Sequence, residues 1–399
     1  MITLITFIII LGLLIFVHEL GHFVAAKKAG IKVDEFGFGY PPRIIGTYKD
    51  PKTKKFVLVL PKRGKGKKQL AAVAGQESEE NFPATVYSLN WLPLGGFCKM
   101  KGENGDGKSD PDSFSAKKAW QRIIVLIAGV AMNFVLAALV LMIGFKVGLP
   151  TAIDSQNKSY AKDQKVQIMS ISTDSPAEKV GLKIGDQVVS INNKKLENVT
   201  QVQKAIDKNK GKEIDLKIKR YNENLDIKIE PRKNPPENQG ALGVGLVETG
   251  IVSYPWLTSI WKGITATFSL TIALIVGFYD IIKNLFVGNK IGADVAGPIG
   301  IAVMTGQVTK MGFSYVLQFV ALLSINLAII NALPIPAIDG GRILFIIIEK
   351  IRRKPISMKV ENIIHTTGFA LLILLMVVVT FRDVFKFKDI FINLWNKIF

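Results

Sequence analysis

The sequence predicts a polytopic α-helical membrane protein with four transmembrane helices, a membrane-associated β-hairpin loop and an inserted soluble α+β domain. Three observations predict it. Of the 399 residues 49% are hydrophobic, and the mean hydropathy is +0.30. The apolar residues gather in runs of bilayer-spanning length. Between two of those runs lies a polar stretch, 151–235, long enough to fold by itself.

The first apolar run, Met1 to Ala26, carries Val17-His18-Glu19-Leu20-Gly21-His22-Phe23. On a helix, His18 and His22 are four apart and share a face, so both can reach one Zn²⁺. Glu19 sits beside the first of them, where it can take a proton from a metal-bound water. A bare HExxH arises by chance in many chains. Its position is what gives it weight, because three ionisable groups in an apolar helix are costly unless they have a task. Lys27 and Lys28 follow the run and no Lys or Arg precedes it, the reverse of a secretory signal. The run therefore reads as a retained first span (1–27), N-terminus outside and Lys27 inside.

Net charge is +19, from 51 Lys and Arg against 32 Asp and Glu. No nucleic-acid motif accompanies this charge, and basic clusters beside spans mark cytoplasmic loops. The single Cys98 excludes an intrachain disulfide framework and a Cys-rich zinc site, and reads as a buried residue without chemistry. Two of the three histidines lie in the opening motif. The third, His365, reads as structural, with Thr366 and Thr367 as candidate partners.

Residues 28–119 follow on the cytoplasmic side; over 27–119 there are 18 Lys and Arg against 10 Asp and Glu. Val33–Tyr40 and Lys55–Leu60 have strand composition, Pro41-Pro42 marks a turn, and Trp91–Met100 is apolar with paired glycines. Two pictures fit: a β-hairpin sheet that dips into the membrane near the metal, where protein must cover its backbone, or an ordinary cytosolic loop. The basic run Lys62–Lys68 reads as a solvated tip near anionic lipid. The second span (120–148) holds Gly129-x-x-x-Asn133. The glycine permits close helix approach. The asparagine needs a partner, which makes it either glue between helices or a group near the metal or substrate backbone.

The insert (160–233) reads as extracytoplasmic. A strand leads into a short helix after Ser175-Pro176, then a Gly-Leu turn, a Gly-Asp turn and a second strand. A helix at Val199–Ile206 and strands at Ile214–Arg220 and Leu225–Ile229 follow. This pattern resembles a PDZ domain, which here either adds an extended peptide to its sheet edge or acts as a size filter. A linker and membrane-associated brace helices come next (234–312), with Gly292–Met304 reading as a loop. A third span (313–342), a basic cytoplasmic loop (343–361), a fourth span (362–382) and an amphipathic tail (383–399) complete the chain. Pro334 and Pro336 should break the third span's helix and leave Asp339 on a non-helical segment at the membrane edge.

A catalytic zinc takes three protein ligands and leaves a fourth place to water. Asp339 is the candidate third ligand, provided it shares a side with His22. The first span runs inward and the second outward. Were 256–285 also to cross, Asp339 and the basic stretch Glu349–Lys359 would land outside, against the positive-inside rule. So 256–285 reads as a brace, and the count is four spans with both termini outside. Two other classes remain. A non-catalytic PDZ scaffold with a structural metal conflicts with the intact Glu19, because structural sites close all four positions with protein. A zinc transporter would need a run of intramembrane acidic and His residues, which the spans lack.

Together, HELGH in a first span, Gly-x-x-x-Asn in a second, the PDZ-like insert and Asn331-x-x-Pro334-x-Pro336-x-x-Asp339-Gly-Gly resemble the site-2 protease family. The resemblance is to its regulator of sigma-E protease type and covers nearly the whole chain. It implies an intramembrane zinc metalloprotease of the bacterial inner (cytoplasmic) membrane. The implied substrates are single-span membrane proteins, such as anti-sigma factors already trimmed outside, and remnant signal peptides. By the same resemblance His18, His22 and Asp339 are zinc ligands and Glu19 is the catalytic base. Asn331, Pro334 and Pro336 correspond to the family's substrate-contacting segment. Gly37 and Gly39 fall where the family's membrane-dipping loop pairs with extended substrate, and Asn133 matches its second-span asparagine, counted here with the substrate-binding group. There are two departures. The insert has room for one PDZ-like domain where this type often has two, and Ile338 stands where Leu is common.

Overall fold

The computed structural model describes residues 2–60, 82–103, 107, 109–220, 223–236, 239–287, 296–354 and 356–388. The basic run Lys62–Lys68 lies outside the described residues. Apolar runs become long helices: α1 (Ile2–Lys28), with Lys27 and Lys28 in its last turn, and α2 (Ala119–Val147). Cations there complement the carbonyl end of the helix dipole. The chain divides into two compact units. One comprises Met1–Val140, Thr265–Gln307 and Phe319–Phe399, and the other Leu141–Ile264 and Val308–Gln318.

In the first unit α1 is followed by a sheet of β1 (Val33–Lys49), β2 (Phe56–Val59) and β3 (Val86–Met100), in the order β2-β1-β3. β1 runs on through Pro41-Pro42, where the sequence suggests a turn. The long β3 flanks β1 on both sides, so Gly37 faces Phe97 across one edge and Ser88 across the other. Ala26, Ile31, Val33, Phe36, Cys98, Met100, Val125 and Leu126 form one buried cluster that ties the sheet to α1 and α2. Its side chains are apolar and its burial is the main force holding the three elements together. Cys98 is buried in it, as the sequence suggests.

The second unit holds the insert. Its sheet contains β4 (Leu149–Ala152), β5 (Ala161–Ile171), β6 (Gln187–Ile191), β7 (Lys194–Lys195), β8 (Ile214–Arg220), β9 (Glu223–Ile229) and β10 (Val244–Val252). The order is β4-β10-β5-β6-β8-β9, with β7 paired to β6. Two helices cross it, α3 (Pro176–Lys179) and α4 (Val199–Lys208). The Ser175 hydroxyl caps α3 by accepting from the Glu178 N–H at 3.2 Å, a standard way to satisfy a helix start. Alternating apolar residues of β8 (Ile214, Leu216, Ile218) meet Val202 and Ile206 of α4 in the core, the period-2 and period-3.6 faces the sequence displays. β10 falls inside 234–312, a stretch the sequence divides into linker and brace helices. The reason is non-local: its partners in β4 and β5 lie between 73 and 103 residues earlier, and only that pairing makes it a strand.

The remaining helices are α5 (Trp256–Val287), α6 (Pro298–Met311), α7 (Phe313–Ala332), α8 (Asp339–Arg352) and α9 (Met358–Lys386). Three expectations change. From Pro298 onward the expected Gly292–Met304 loop is helix α6; proline is tolerated at a helix's first position, where its missing N–H costs nothing. Asp339 opens a helix instead of lying on irregular chain. The expected basic loop 343–361 is largely α8, whose first and last turns carry Asp339 and Lys350 with Arg352. Among the described residues five helices are long and apolar enough to cross a membrane: α1, α2, α5 over Trp256–Asn284, α7 and α9. The fifth, relative to the expected four, is α5.

Candidate metal centre

His18 and His22 project from one face of α1, as four-residue spacing requires. Their Nε2 atoms are 3.1 Å apart. α8 brings in Asp339, whose Oδ2 lies 3.0 Å from His18 Nε2 and 3.3 Å from His22 Nε2. Zinc bonds of 2.0–2.1 Å at the tetrahedral angle would separate neighbouring ligand atoms by roughly 3.3 Å. The three atoms thus have the spacing of three corners of one coordination sphere.

The surroundings fix which atoms can bind metal. The His22 Nδ1–H donates to the Val125 carbonyl at 2.9 Å, which leaves Nε2 with its lone pair. His18 Nδ1 is 3.2 Å from the side-chain amide of Asn133. The nearer amide atom is Nδ2; with the amide turned over, its oxygen accepts from the His18 Nδ1–H and His18 Nε2 is likewise a lone pair. Asp339 Oδ2 has no hydrogen-bond partner although it is shielded from solvent. Two lone pairs and a carboxylate oxygen crowded within 3.3 Å repel one another unless a cation lies among them. The donor set, two imidazoles and one carboxylate, suits zinc.

α2 makes this packing possible. A Cβ on Gly21 would stand 2.3 Å from the Ala128 carbonyl oxygen, and one on Gly129 would stand 2.3 Å from His22 Nε2 and 2.9 Å from His18 Cε1. Gly129 therefore does more than permit helix approach: it vacates the volume that the imidazoles fill. The sequence displays it only as a small residue four before Asn133. Ser324 of α7 donates to the Asn133 carbonyl at 2.8 Å, a contact no motif signals.

Other sequence-derived site residues are placed differently. Asn133 is fully buried and its amide addresses His18, the placement near the metal ligands that the sequence allows for it. Gly37 is an interior strand residue with partners on both sides, which closes it to a further strand. The Gly39 carbonyl already accepts from Asn90 Nδ2 at 3.0 Å. The cause is physical: glycine spacing shows tolerance of close approach but not which edge is open. Asn331 lies in the last turn of α7, half-buried, and Pro334 and Pro336 lie on the turn between α7 and Asp339. Among the described residues the Glu19 carboxylate, next to His18, makes no hydrogen bond.

The family description "Peptidase family M50" matches residues 6–62 and 77–375. This chain belongs to peptidase family M50. The M50 chain is similar to the regulator of sigma-W protease RasP of Bacillus subtilis, 32% identical over 441 residues that cover 96% of this chain and 98% of that one. A zinc metalloprotease RasP of Bacillus licheniformis is also 32% identical over 439 residues, with the same coverage. A solved PDZ domain of a Listeria monocytogenes protein aligns at 23% identity over 21% of this chain and 86% of its own, with a TM-score of 0.19, too low to establish a shared fold. This M50 peptidase is a zinc metalloprotease of the site-2 protease family and a multi-pass membrane protein.

Proposed function

We propose that this M50 peptidase cuts single-span membrane proteins inside the bilayer of a bacterial cytoplasmic membrane, remnants of anti-sigma factors and signal peptides among them. The observation that carries the reading is a cluster of three groups able to hold one metal ion, reached from an apolar, span-length helix: His18 and His22 of α1 with Asp339 3.0–3.3 Å away. Zinc, when bound there, supplies Lewis acidity to the attacking water and to the scissile carbonyl. Glu19 takes the proton of the attacking water and carries it to the leaving nitrogen. Val125 and Asn133 keep both imidazoles in the metal-binding tautomer. Asn331, whose amide has no partner among the described residues, is available to the substrate backbone beside Pro334 and Pro336.

A substrate helix must unwind before cleavage, because its carbonyls are hydrogen-bonded. An extended strand can be held by strand addition. Since Gly37 is paired on both sides, we assign that task to the outer segment Gly96–Met100. Its first residue and the one before it pack on α1: a Cβ on Gly96 would come 3.7 Å from Phe16 Cα, and one on Gly95 would touch Ile15. The purified protein in lipid vesicles should cleave a single-span substrate within its apolar segment, lose that activity on chelation, and regain it with one equivalent of zinc. Cleavage that survives complete metal removal would overturn the reading.

The proposed topology has four crossings, with the PDZ-like insert outside and α5 making no net crossing. Contacts within the first unit support it. Thr3, near the start of α1, packs where a Cβ on Gly306 of α6 would lie, 2.7 Å from Thr3 Cγ2. The Gly300 N–H of α6 donates to Asp383 Oδ2 near the end of α9 at 2.6 Å. The start of α1, the end of α9 and α6 thus share one end of the unit, and only Gly312 separates α6 from α7. At the opposite end of α2 from Val147, Arg122 pairs with Glu349 of α8 at 3.1 Å. A topology reporter after Gly312 should score extracytoplasmic and one after Lys354 cytoplasmic. A cytoplasmic score after Gly312 would mean that α5 crosses.

A further inference from the structure

We propose that His365 is a positioning residue for the third metal ligand, acting through the backbone of Ala337. The proposal rests on the reading of Asp339 as that ligand. His365 lies on α9, 26 residues beyond Asp339, and the sequence marks it only as a structural histidine. The turn Leu333–Ile338 that delivers Asp339 is unusual in two ways. Pro334 and Pro336 remove two of its backbone donors, so few hydrogen bonds are left to define it. Ala337 adopts φ +77, a left-handed conformation disfavoured for a residue with a side chain. Such a conformation persists only where its surroundings impose it.

His365 supplies that constraint. Its Nδ1 accepts from the Ala337 N–H at 3.0 Å. The ring's own proton then sits on Nε2, a buried atom with no partner among the described residues. A buried donor without a partner is costly, so the ring is not held there by Nε2; the bond to Ala337 is the polar contact it makes. Phe345 of α8 stacks near it, ring centres 5.3 Å apart, and limits its rotation. One turn along the same face of α9, Gly368 leaves the space that Pro336 fills, since a Cβ there would stand 2.5 Å from Pro336 Cβ. From the other side Gly340 and Gly341 admit the Leu333 and Ile335 carbonyls, to which added Cβ atoms would come within 2.0 and 2.2 Å. The turn is therefore held between α8 and α9, and the side-chain hydrogen bond it makes to α9 meets the strained residue two before Asp339.

The test compares His365→Leu, which cannot accept, with His365→Asn, whose Oδ1 can take the place of Nδ1, in the full-length protein in detergent. Asp339→Ala is the reference. The readouts are zinc affinity by chelator competition and the visible absorption of the cobalt-substituted protein, both independent of turnover. H365L should bind zinc roughly 10–100-fold more weakly, as loss of an orienting partner does, with a shifted cobalt spectrum. H365N should keep both close to wild type. Unchanged affinity and spectrum in H365L, or equal loss in both variants, overturns the acceptor role. If D339A leaves zinc binding intact, the ligand reading fails; if only D339A weakens it, the ligand reading stands and the role of His365 falls. Should H365L not fold, hydrogen exchange of the segment Leu333–Ile338 in H365N decides: protection must match wild type, and its loss overturns the proposal.

Discussion

Glu19→Gln is expected to lower cleavage by roughly 10²–10⁴-fold, the range a positioned general base contributes, while zinc content stays at one per chain. The two halves of this prediction come from different geometry. Zinc content should hold because the ligand atoms, His18 Nε2, His22 Nε2 and Asp339 Oδ2, do not involve Glu19, and among the described residues its carboxylate makes no hydrogen bond that Gln would break. Gln also keeps the volume of Glu in the α1 face, so the packing of Phe16 and Phe23 against Phe36 is preserved. Cleavage should fail because an amide cannot take the proton that the attacking water must release. Metal analysis and a substrate assay on the same preparation check both halves. Wild-type turnover would remove Glu19 from the mechanism, and loss of zinc would make its role structural.

The candidate ligands are readable from the sequence because each carries a local signature. His18 and His22 sit at helical spacing in a run too apolar to bear them idly, and Asp339 follows a proline pair that has to interrupt a helix. What escapes is what depends on pairing across long separations. Gly37 looks available because glycine spacing does not disclose that β3 returns on both sides of β1. β10 looks like linker and brace because its partners precede it by most of the insert. Asp339 reads as irregular chain, since the two prolines mark where α7 must end but not that α8 starts immediately after the turn. The orienting groups are invisible for a different reason: Val125 acts through a carbonyl, and His365 touches an amide N–H, so neither contact leaves a residue pattern. Asn133 is visible as a costly buried amide, and only the structure shows that its partner is His18.

Gly129→Ala is the substitution expected to damage the metal centre most from outside the ligand set. Its Cβ would stand 2.3 Å from His22 Nε2, 2.6 Å from His22 Cε1 and 2.9 Å from His18 Cε1, far inside ordinary contact distance. Relief has two routes, and both cost the site. If α2 withdraws, the close passage of Gly21 against the Ala128 carbonyl opens and the His22–Val125 hydrogen bond lengthens. If the imidazole turns away instead, Nε2 leaves the cluster it forms with His18 and Asp339. The helix itself gives no reason for loss, since Ala is favoured over Gly in a helix interior by about 1 kcal/mol. Zinc affinity should therefore fall by at least ~100-fold, the upper end of what losing an orienting contact costs, and cleavage should fall with it while the helices remain folded by circular dichroism. The same change at Gly277 of α5, where a Cβ meets nothing within 4 Å, should leave zinc and cleavage unaltered. A Gly129→Ala protein with full zinc and wild-type turnover would mean that α1 and α2 do not cross at this distance when the metal is bound, or that His22 is not a ligand. A zinc loss confined to Gly129→Ala would tie the metal centre to the volume this one residue leaves empty.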